Sequence, residues 1–120
     1  MLTAEKVEEF RQSWRPTTEK VDLAVKTAIE VAHPSRVFIF GSWARGEATA
    51  DSDLDLAVLV PDERLTEIPE SRRQITRQLE PMRMSVDLIL VTEGYFAKFR
   101  LSINSIYYKI ANQGKLVYEQ

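Results

Sequence analysis

The chain has 120 residues, a formal net charge of −2 at pH 7 and no cysteine. This length suits one domain with a single core, expected over residues 1–120, and the charge gives no basis for broad electrostatic binding to nucleic acid or to a membrane. The lack of cysteine excludes disulfides and thiolate metal sites.

Neither a signal peptide nor a membrane span is indicated. Residues 1–6 lack the pattern of a secretory leader, and no uninterrupted apolar run approaches the roughly 20 residues that a spanning helix needs. We therefore expect a cytoplasmic protein.

Two helices are predicted at the N-terminus. The first covers residues 3–14 and ends before Pro16, and the second covers residues 17–32 with an apolar stripe opposite charged residues. The apolar positions are Val7, Phe10 and Trp14 in the first helix, and Val21, Ala24, Val25, Ala28, Ile29 and Ala32 in the second. His33, the only histidine, is expected at the surface beyond the second helix, with no catalytic role.

A strand followed by a tight turn comes next. The apolar, β-prone run over residues 37–40 stops abruptly at Gly41-Ser42, where the missing Cβ lets backbone approach a ligand closely. Residues 43–45 begin a short helix whose free N–H groups suit a phosphate, and Gly46 can end that helix with a positive φ. This turn is a candidate phosphate-binding element.

Two acids mark the start of the following strand, predicted over Leu54–Val60. Positions i and i+2 of a strand point to the same face, about 6.5–7 Å apart, so Asp53 and Asp55 can share a cation. Mg²⁺ is commonly held by one or two carboxylates together with substrate phosphates. Turn capping by Asp51-Ser52-Asp53 is the alternative, but Asp55 interrupts an apolar strand, where an unpaired acid is costly.

The second half of the chain alternates helix and strand. A helix is predicted from about Pro69 to Glu80, a strand over Ser85–Val91 with Asp87 near its start, and a helix over Tyr95–Asn112, in one or two pieces. Gly114 ends it, and Leu116–Tyr118 can add an edge strand. The residues expected in the core are Ile68, Ile75, Leu79, Met82, Phe96, Phe99, Ile103, Ile106, Tyr107 and Ile110.

Five arginines make the middle of the chain locally basic. They are Arg64, Arg72, Arg73, Arg77 and Arg83, and glutamates interleave with them. This pattern is typical of a solvated helix face. The alternative is a surface for a partner or for the outer phosphates of a nucleotide.

The element order predicts a small, mixed α/β (α+β) sheet covered by helices, mainly on one face. The helical hairpin and the C-terminal helix supply most of that cover. The candidate site is expected at the end of the strands that carry Asp53, Asp55 and Asp87.

The spacing Gly-Ser, ten residues, Asp-x-Asp resembles the signature of the nucleotidyltransferase superfamily related to DNA polymerase β. The motifs Gly-Ser-x-Ala-Arg-Gly, Ser-Asp-x-Asp-Leu, Val-Asp-Leu and Gly-Lys-x-x-Tyr-Glu are most similar to the minimal nucleotidyltransferases. The resemblance implies the nucleotidyltransferase fold. It implies two Mg²⁺ ions, or Mn²⁺, on Asp53, Asp55 and Asp87, with phosphates at Gly41 and Ser42.

Two residues near the turn keep open roles. Arg45 can pair with a phosphate, or form a salt bridge with Glu47 or Asp51. Trp43 stands where many relatives carry a basic residue, and packing in the core is favoured over stacking on a base.

The resemblance further implies a partner and a substrate. Minimal nucleotidyltransferases often act as antitoxins whose partner is a HEPN ribonuclease toxin, and they resemble enzymes that transfer AMP from ATP to a tyrosine of that toxin. The expected function is thus that of a type VII-like antitoxin and protein adenylyltransferase. The alternative is a binding module that neutralises the toxin by docking alone. Transfer to a small acceptor such as an aminoglycoside is disfavoured, because a chain of this length has no room for an acceptor domain.

Overall fold

The computed structural model describes residues 2–49 and 51–120, and Ala50 of the motif stretch and Met1 lie outside the described residues. The strands are β1 (Arg36–Phe40), β2 (Leu54–Val60), β3 (Val86–Thr92) and β4 (Lys115–Glu119). The helices are α1 (Ala4–Ser13), α2 (Thr18–Ala32), α3 (Gly41–Ala44), α4 (Ile68–Leu79), α5 (Glu93–Phe99) and α6 (Ile106–Gln113), with 3₁₀ segments at Asp62–Glu67 and Glu80–Met82. The predicted mixed sheet with helices is confirmed.

The four strands form one sheet in the order β3-β2-β1-β4. Strand β1 is antiparallel to β2 and β4, whereas β2 is parallel to β3, and α4 lies on the crossover between them. In this register Asp55 lies opposite Phe40 on one side and Asp87 on the other. The end of β1 and the starts of β2 and β3 therefore meet at the same edge.

Each face of the sheet carries its own apolar core. On one face, alternate residues of β2 pack against α2 and α4, and on the other face the remaining residues pack against α5 and α6. The first core includes Ala24, Ala28, Ala32, Val37, Ile39, Leu54, Leu56, Val58, Val60, Ile75 and Leu79, and the second includes Phe38, Phe40, Ala57, Leu59, Phe96 and Ile110.

The expectation that helices cover mainly one face is wrong. The C-terminal helices lie across the sheet from α2 and α4. The runs over 37–40 and 56–60 are apolar on both faces and fully buried, and such strands need cover on both sides. Small side chains let α2 approach the sheet closely, since Ala24, Ala28 and Ala32 are at most 1% exposed.

The C-terminal helical region, expected as one helix or as two, forms two helices, α5 and α6. Helix α5 ends at Phe99, and the Ser105 hydroxyl caps a new helix by accepting a hydrogen bond from the Tyr108 N–H. The prediction that Ile103 lies in the core is wrong, because Ile103 falls in the intervening loop and is 72% exposed.

The N-terminal helices begin where the sequence predicts. The hydroxyls of Thr3 and Thr17 accept hydrogen bonds from the N–H groups of Lys6 and Lys20. Helix α1 nevertheless contributes no buried residue, so the apolar side chains of Val7, Phe10 and the C-capping Trp14 stay open to solvent. His33 is exposed beyond α2 in a left-handed conformation, as expected for a surface residue at a helix end.

None of the helices in the two described ranges is both long and apolar enough to cross a membrane.

An ion pair joins the start of β1 to the start of α5. The Glu93 carboxylate accepts hydrogen bonds from the Ser35 hydroxyl at 2.6 Å and from the Arg36 guanidinium at 2.7 and 3.0 Å. The guanidinium also lies over the rings of Phe38 and Phe96, 5.3 and 5.4 Å from their centroids. The bonds from Arg36 lower the pKa of Glu93, although partial burial opposes the shift.

This lowered pKa gives Glu93 a pH-dependent contribution to stability. Because the folded-state pKa lies below the unfolded value of about 4.3, the contribution is present above that value and is lost as pH falls through the folded-state pKa. We expect Glu93→Gln to lower the free energy of unfolding at pH 7 and to flatten its decline on acidification, measured by urea denaturation between pH 7 and pH 3. Glu30→Gln, at an exposed position of α2, is the control, and an equal effect of both variants would contradict the assignment.

Candidate active site

A cavity of about 610 Å³ opens at the edge where β1 ends and β2 and β3 begin. Its walls come from three parts of the chain: the turn after β1, the starts of β2 and β3, and the segment leading into and along α6. The lining residues are Phe40, Gly41, Ser42, Arg45, Asp55, Asp87, Asn104, Ile106, Lys109 and Gln113. Five of the six residues predicted for the site line this cavity.

The turn after β1 is built on Gly41. Its φ is +70°, a conformation that side chains with a Cβ rarely adopt. A Cβ placed on Gly41 would also overlap the Asp55 Oδ2 atom. Glycine at this position thus lets the backbone of the turn come directly against the carboxylate.

Asp55 is half-buried among like charges. Burial raises its pKa most, the nearby carboxylates of Asp87 and Asp53 raise it further, and the Arg45 guanidinium partly offsets these effects. The Asp55 carboxylate accepts no hydrogen bond from residues 2–49 or 51–120. The ionised form is therefore poorly compensated by protein groups.

Asp53 stands apart from the cavity. It precedes the first paired residue of β2, is exposed, and lines a neighbouring cavity of about 440 Å³ beside α1. Within the described part of the chain, no three acidic, histidine or cysteine side chains are grouped closely enough to hold a metal ion. The structure brings Asp55 and Asp87 together and leaves Asp53 at their side.

The donor set nevertheless fits a hard divalent cation. Asp55 and Asp87 offer carboxylate oxygens, the ligand type that Mg²⁺ and Mn²⁺ prefer. Burial and the neighbouring carboxylates together raise the pKa of Asp55 and disfavour its ionised form, and a bound cation would oppose both effects. Asp53, within electrostatic range of Asp55, can join this set.

Arg45 lies at the cavity but is not free of protein partners. Its Nε atom is 3.2 Å from the Glu47 carboxylate, and both side chains are about half exposed or more. The other acid considered for this role, Asp51, pairs with Arg11 at 3.0 Å. Trp43 packs against the core that includes α2, which confirms the packing interpretation.

Helix α6 forms a wall that the sequence reading missed. Asn104, Lys109 and Gln113 were not identified as site residues, and Ile106 was predicted only as core. A sequence pattern could have indicated this wall, because positions 106, 109 and 113 share one face of a helix and two of them are polar.

The basic segment lies elsewhere. None of its five arginines is among the described residues that line the cavity, and most are exposed. Arg72 donates to the backbone carbonyl of Leu88 at 2.9 Å, and Arg64 and Arg73 pair with glutamates of their own segment. This arrangement favours the solvated-face interpretation.

A profile of the family described as polymerase beta, nucleotidyltransferase matches residues 23–120. The chain belongs to this nucleotidyltransferase family. The match begins within α2 and includes all four strands and every residue that lines the cavity.

Among solved structures, the chain is similar to a presumed nucleotidyltransferase from Sulfolobus solfataricus. The two are 21% identical, with a TM-score of 0.47, and the alignment covers 88% of this chain and 91% of the other. No match was found among curated proteins. The family assignment rests on the profile.

Gly41 and Gly46 provide a matched pair of substitutions. Both have positive φ, at +70° and +72°, but a Cβ at Gly46 meets no atom within 4 Å. We expect Gly46→Ala to lose only the backbone strain energy, about 1–2 kcal/mol of the free energy of unfolding. Gly41→Ala should lower the free energy of unfolding by more than this, because the new Cβ would displace the Asp55 carboxylate. For the same reason it should weaken nucleotide binding. Urea denaturation and ATP titration check this, and equal losses in both variants would contradict it.

Removing the Asp55 charge should stabilise the fold when no divalent cation is present. Because the folded-state pKa is raised, protonation stabilises the fold below the unfolded pKa of about 3.9, and this stability is lost as pH rises through the folded-state pKa. Asp55→Asn should therefore raise the melting temperature at pH 7 in EDTA, with the gain disappearing below about pH 3.9. Asp22→Asn, exposed on α2, is the control. A fall in the melting temperature of Asp55→Asn at pH 7 would contradict the conclusion that burial and like charges disfavour the ionised form of Asp55.

Proposed function

We propose that this chain is a Mg²⁺-dependent adenylyltransferase that transfers AMP from ATP to a tyrosine of a HEPN-family ribonuclease toxin, and so acts as its antitoxin. The observation that carries nucleotidyl transfer is the placement of Asp55 and Asp87 side by side on parallel strands, against the Gly41-Ser42 turn. The protein acceptor is supported by the resemblance of the motifs to minimal nucleotidyltransferases.

In this proposal different residues of the cavity bind the phosphates and the metal ions. The Gly41-Ser42 backbone and the Ser42 hydroxyl are suited to hold the outer phosphates. Asp55 and Asp87 are suited to hold one or two Mg²⁺ ions, with Asp53 as a further ligand. Bound divalent cations would supply charge stabilisation for the leaving pyrophosphate and for the attacking oxygen.

In the proposed reaction the phenolic oxygen of the acceptor bonds to the α-phosphorus of ATP. The bond from that phosphorus to its bridging oxygen breaks, and pyrophosphate leaves. Asp87 is exposed at the start of β3, which allows it to accept the phenol proton and return it to solvent.

The surface next to the acids suits a protein acceptor. The cavity that Asp53 lines is bounded by Val7 and Phe10 of α1 and by Trp14 directly after it, and Phe10 is 62% exposed. Exposed apolar side chains grouped in this way are typical of a protein–protein contact. A partner docked there would reach the acids from the Asp53 side.

One observation favours the second candidate, neutralisation by docking alone. The three acids do not form a compact group among the residues that the structure describes. A chain that only docks would not need them. The two candidates differ in whether the partner becomes covalently modified.

The deciding measurement is a mass spectrum of the partner encoded by the neighbouring gene, after incubation with this protein, Mg²⁺ and ATP. We expect a mass gain of one or more AMP units, lost with Asp53→Asn because a cation ligand is removed. Asp22→Asn is the matched control, since Asp22 is an exposed acid of α2 that lines neither cavity, and its loss should leave transfer largely intact.

The outcomes separate the candidates. A stable complex with an unmodified partner would favour docking alone, as would protection of cells by the Asp53→Asn, Asp55→Asn double variant. If the partner is not modified and forms no complex with this protein, the assignment of this partner is overturned.

A further inference from the structure

We infer that Lys109 binds the terminal phosphates of the nucleoside triphosphate, so that α6 forms the second wall of the nucleotide site opposite the Gly41-Ser42 turn. This inference rests on the proposed nucleotidyl transfer and names a residue that the family motifs do not include. It follows from the orientation of α6 and from the distribution of charge in the cavity.

The orientation of α6 is fixed by the packing of its apolar face against the sheet and α5. Ile110 is fully buried against the sheet, and Tyr107 packs edge-on against Phe96 with ring centroids 6.5 Å apart. With these residues facing the core, the side of α6 that carries Lys109 and Gln113 faces the cavity. The position of the lysine is thus set by the core and does not depend on a mobile loop.

Two positively charged side chains line the cavity, Arg45 and Lys109, and of these Arg45 is already paired with a glutamate. Arg45 is bonded to Glu47 and lies close enough to Asp55 to lower its pKa. The Lys109 ammonium forms no ion pair or hydrogen bond with any of the described residues. Lys109 is therefore a positive charge without a counter-charge among the described residues, on the wall of the cavity that also holds Asp55 and Asp87.

A triphosphate matches this distribution of charge. Divalent cations held by Asp55 and Asp87 would neutralise part of its negative charge, and the outermost phosphates would still lack a counter-charge. An ammonium is a compact point charge with three donors and suits an oxygen-rich anion whose orientation is set elsewhere. AMP lacks the β- and γ-phosphates, so the contribution of Lys109 should be confined to ATP and ADP.

The test is a titration of wild-type protein and Lys109→Gln with three ligands in the presence of Mg²⁺. The ligands are AMP, ADP and an ATP analogue with a methylene group between the α- and β-phosphates, which binds without transferring AMP. We expect Lys109→Gln to weaken binding of the ATP analogue by about tenfold or more, as for loss of a charge-assisted contact. Binding of AMP should change by less than about twofold on the same scale.

Two further variants make the result specific. Lys109→Arg keeps the charge and should recover most of the affinity for the ATP analogue. Lys26→Gln removes an exposed lysine from α2, on the opposite face of the sheet, and should leave all three affinities unchanged. Thermal melting of each variant confirms that the fold is retained.

Each outcome has a defined meaning. Unchanged binding of the ATP analogue by Lys109→Gln, or an equal loss for all three ligands, overturns the role of Lys109 and leaves nucleotidyl transfer standing. A wild-type protein that binds none of the three ligands overturns the proposed function, and the role of Lys109 with it.

Discussion

The site depends on the parallel pairing of β2 with β3, which places Asp55 directly opposite Asp87. Two carboxylates in this position repel, and the repulsion opposes folding when nothing binds between them. The rest of the sheet compensates for this cost. Paired strands and two apolar cores hold a local arrangement that would not persist alone.

The two cores also explain why the cavity has its particular walls. One core fixes β2 against α2 and α4, which sets the position of the acids. The other core fixes α5 and α6 against the opposite face, the face on which Asp55 lies together with Ala57 and Leu59. The cavity lies beside this second layer at the edge of the sheet, where the turn, the acids and α6 line a shared space.

The sequence allowed most elements and the principal acids to be predicted, because these signals are local. The turn at Gly41, the strand over Leu54–Val60 and the acid at Asp87 are each visible within a few residues. The register of β2 against β3 was not visible, since it depends on residues more than thirty positions apart. For the same reason the cavity face of α6 and the separate position of Asp53 emerged only from the structure.

Two errors have a common physical origin. Helical spacing made Ile103 look like a core residue, and the element order suggested a single covered face of the sheet. Spacing and order report which residues can share a face and how elements follow one another, but they do not report which element packs against which face. The break before Ser105 turns the chain, so that Ile103 is exposed while Ile110 reaches the core.

The ion pair of Glu93 with Arg36 lies at the far end of the sheet from the acids, across the length of a seven-residue strand, about 20 Å. The two ends respond to acid in opposite directions, because protonation breaks the ion pair at one end and relieves carboxylate repulsion at the other. The pH dependence of unfolding in the absence of a divalent cation is consequently the sum of two opposite contributions, one from Glu93 and one from Asp55. Substitution at one end of the sheet removes one contribution and leaves the other in place.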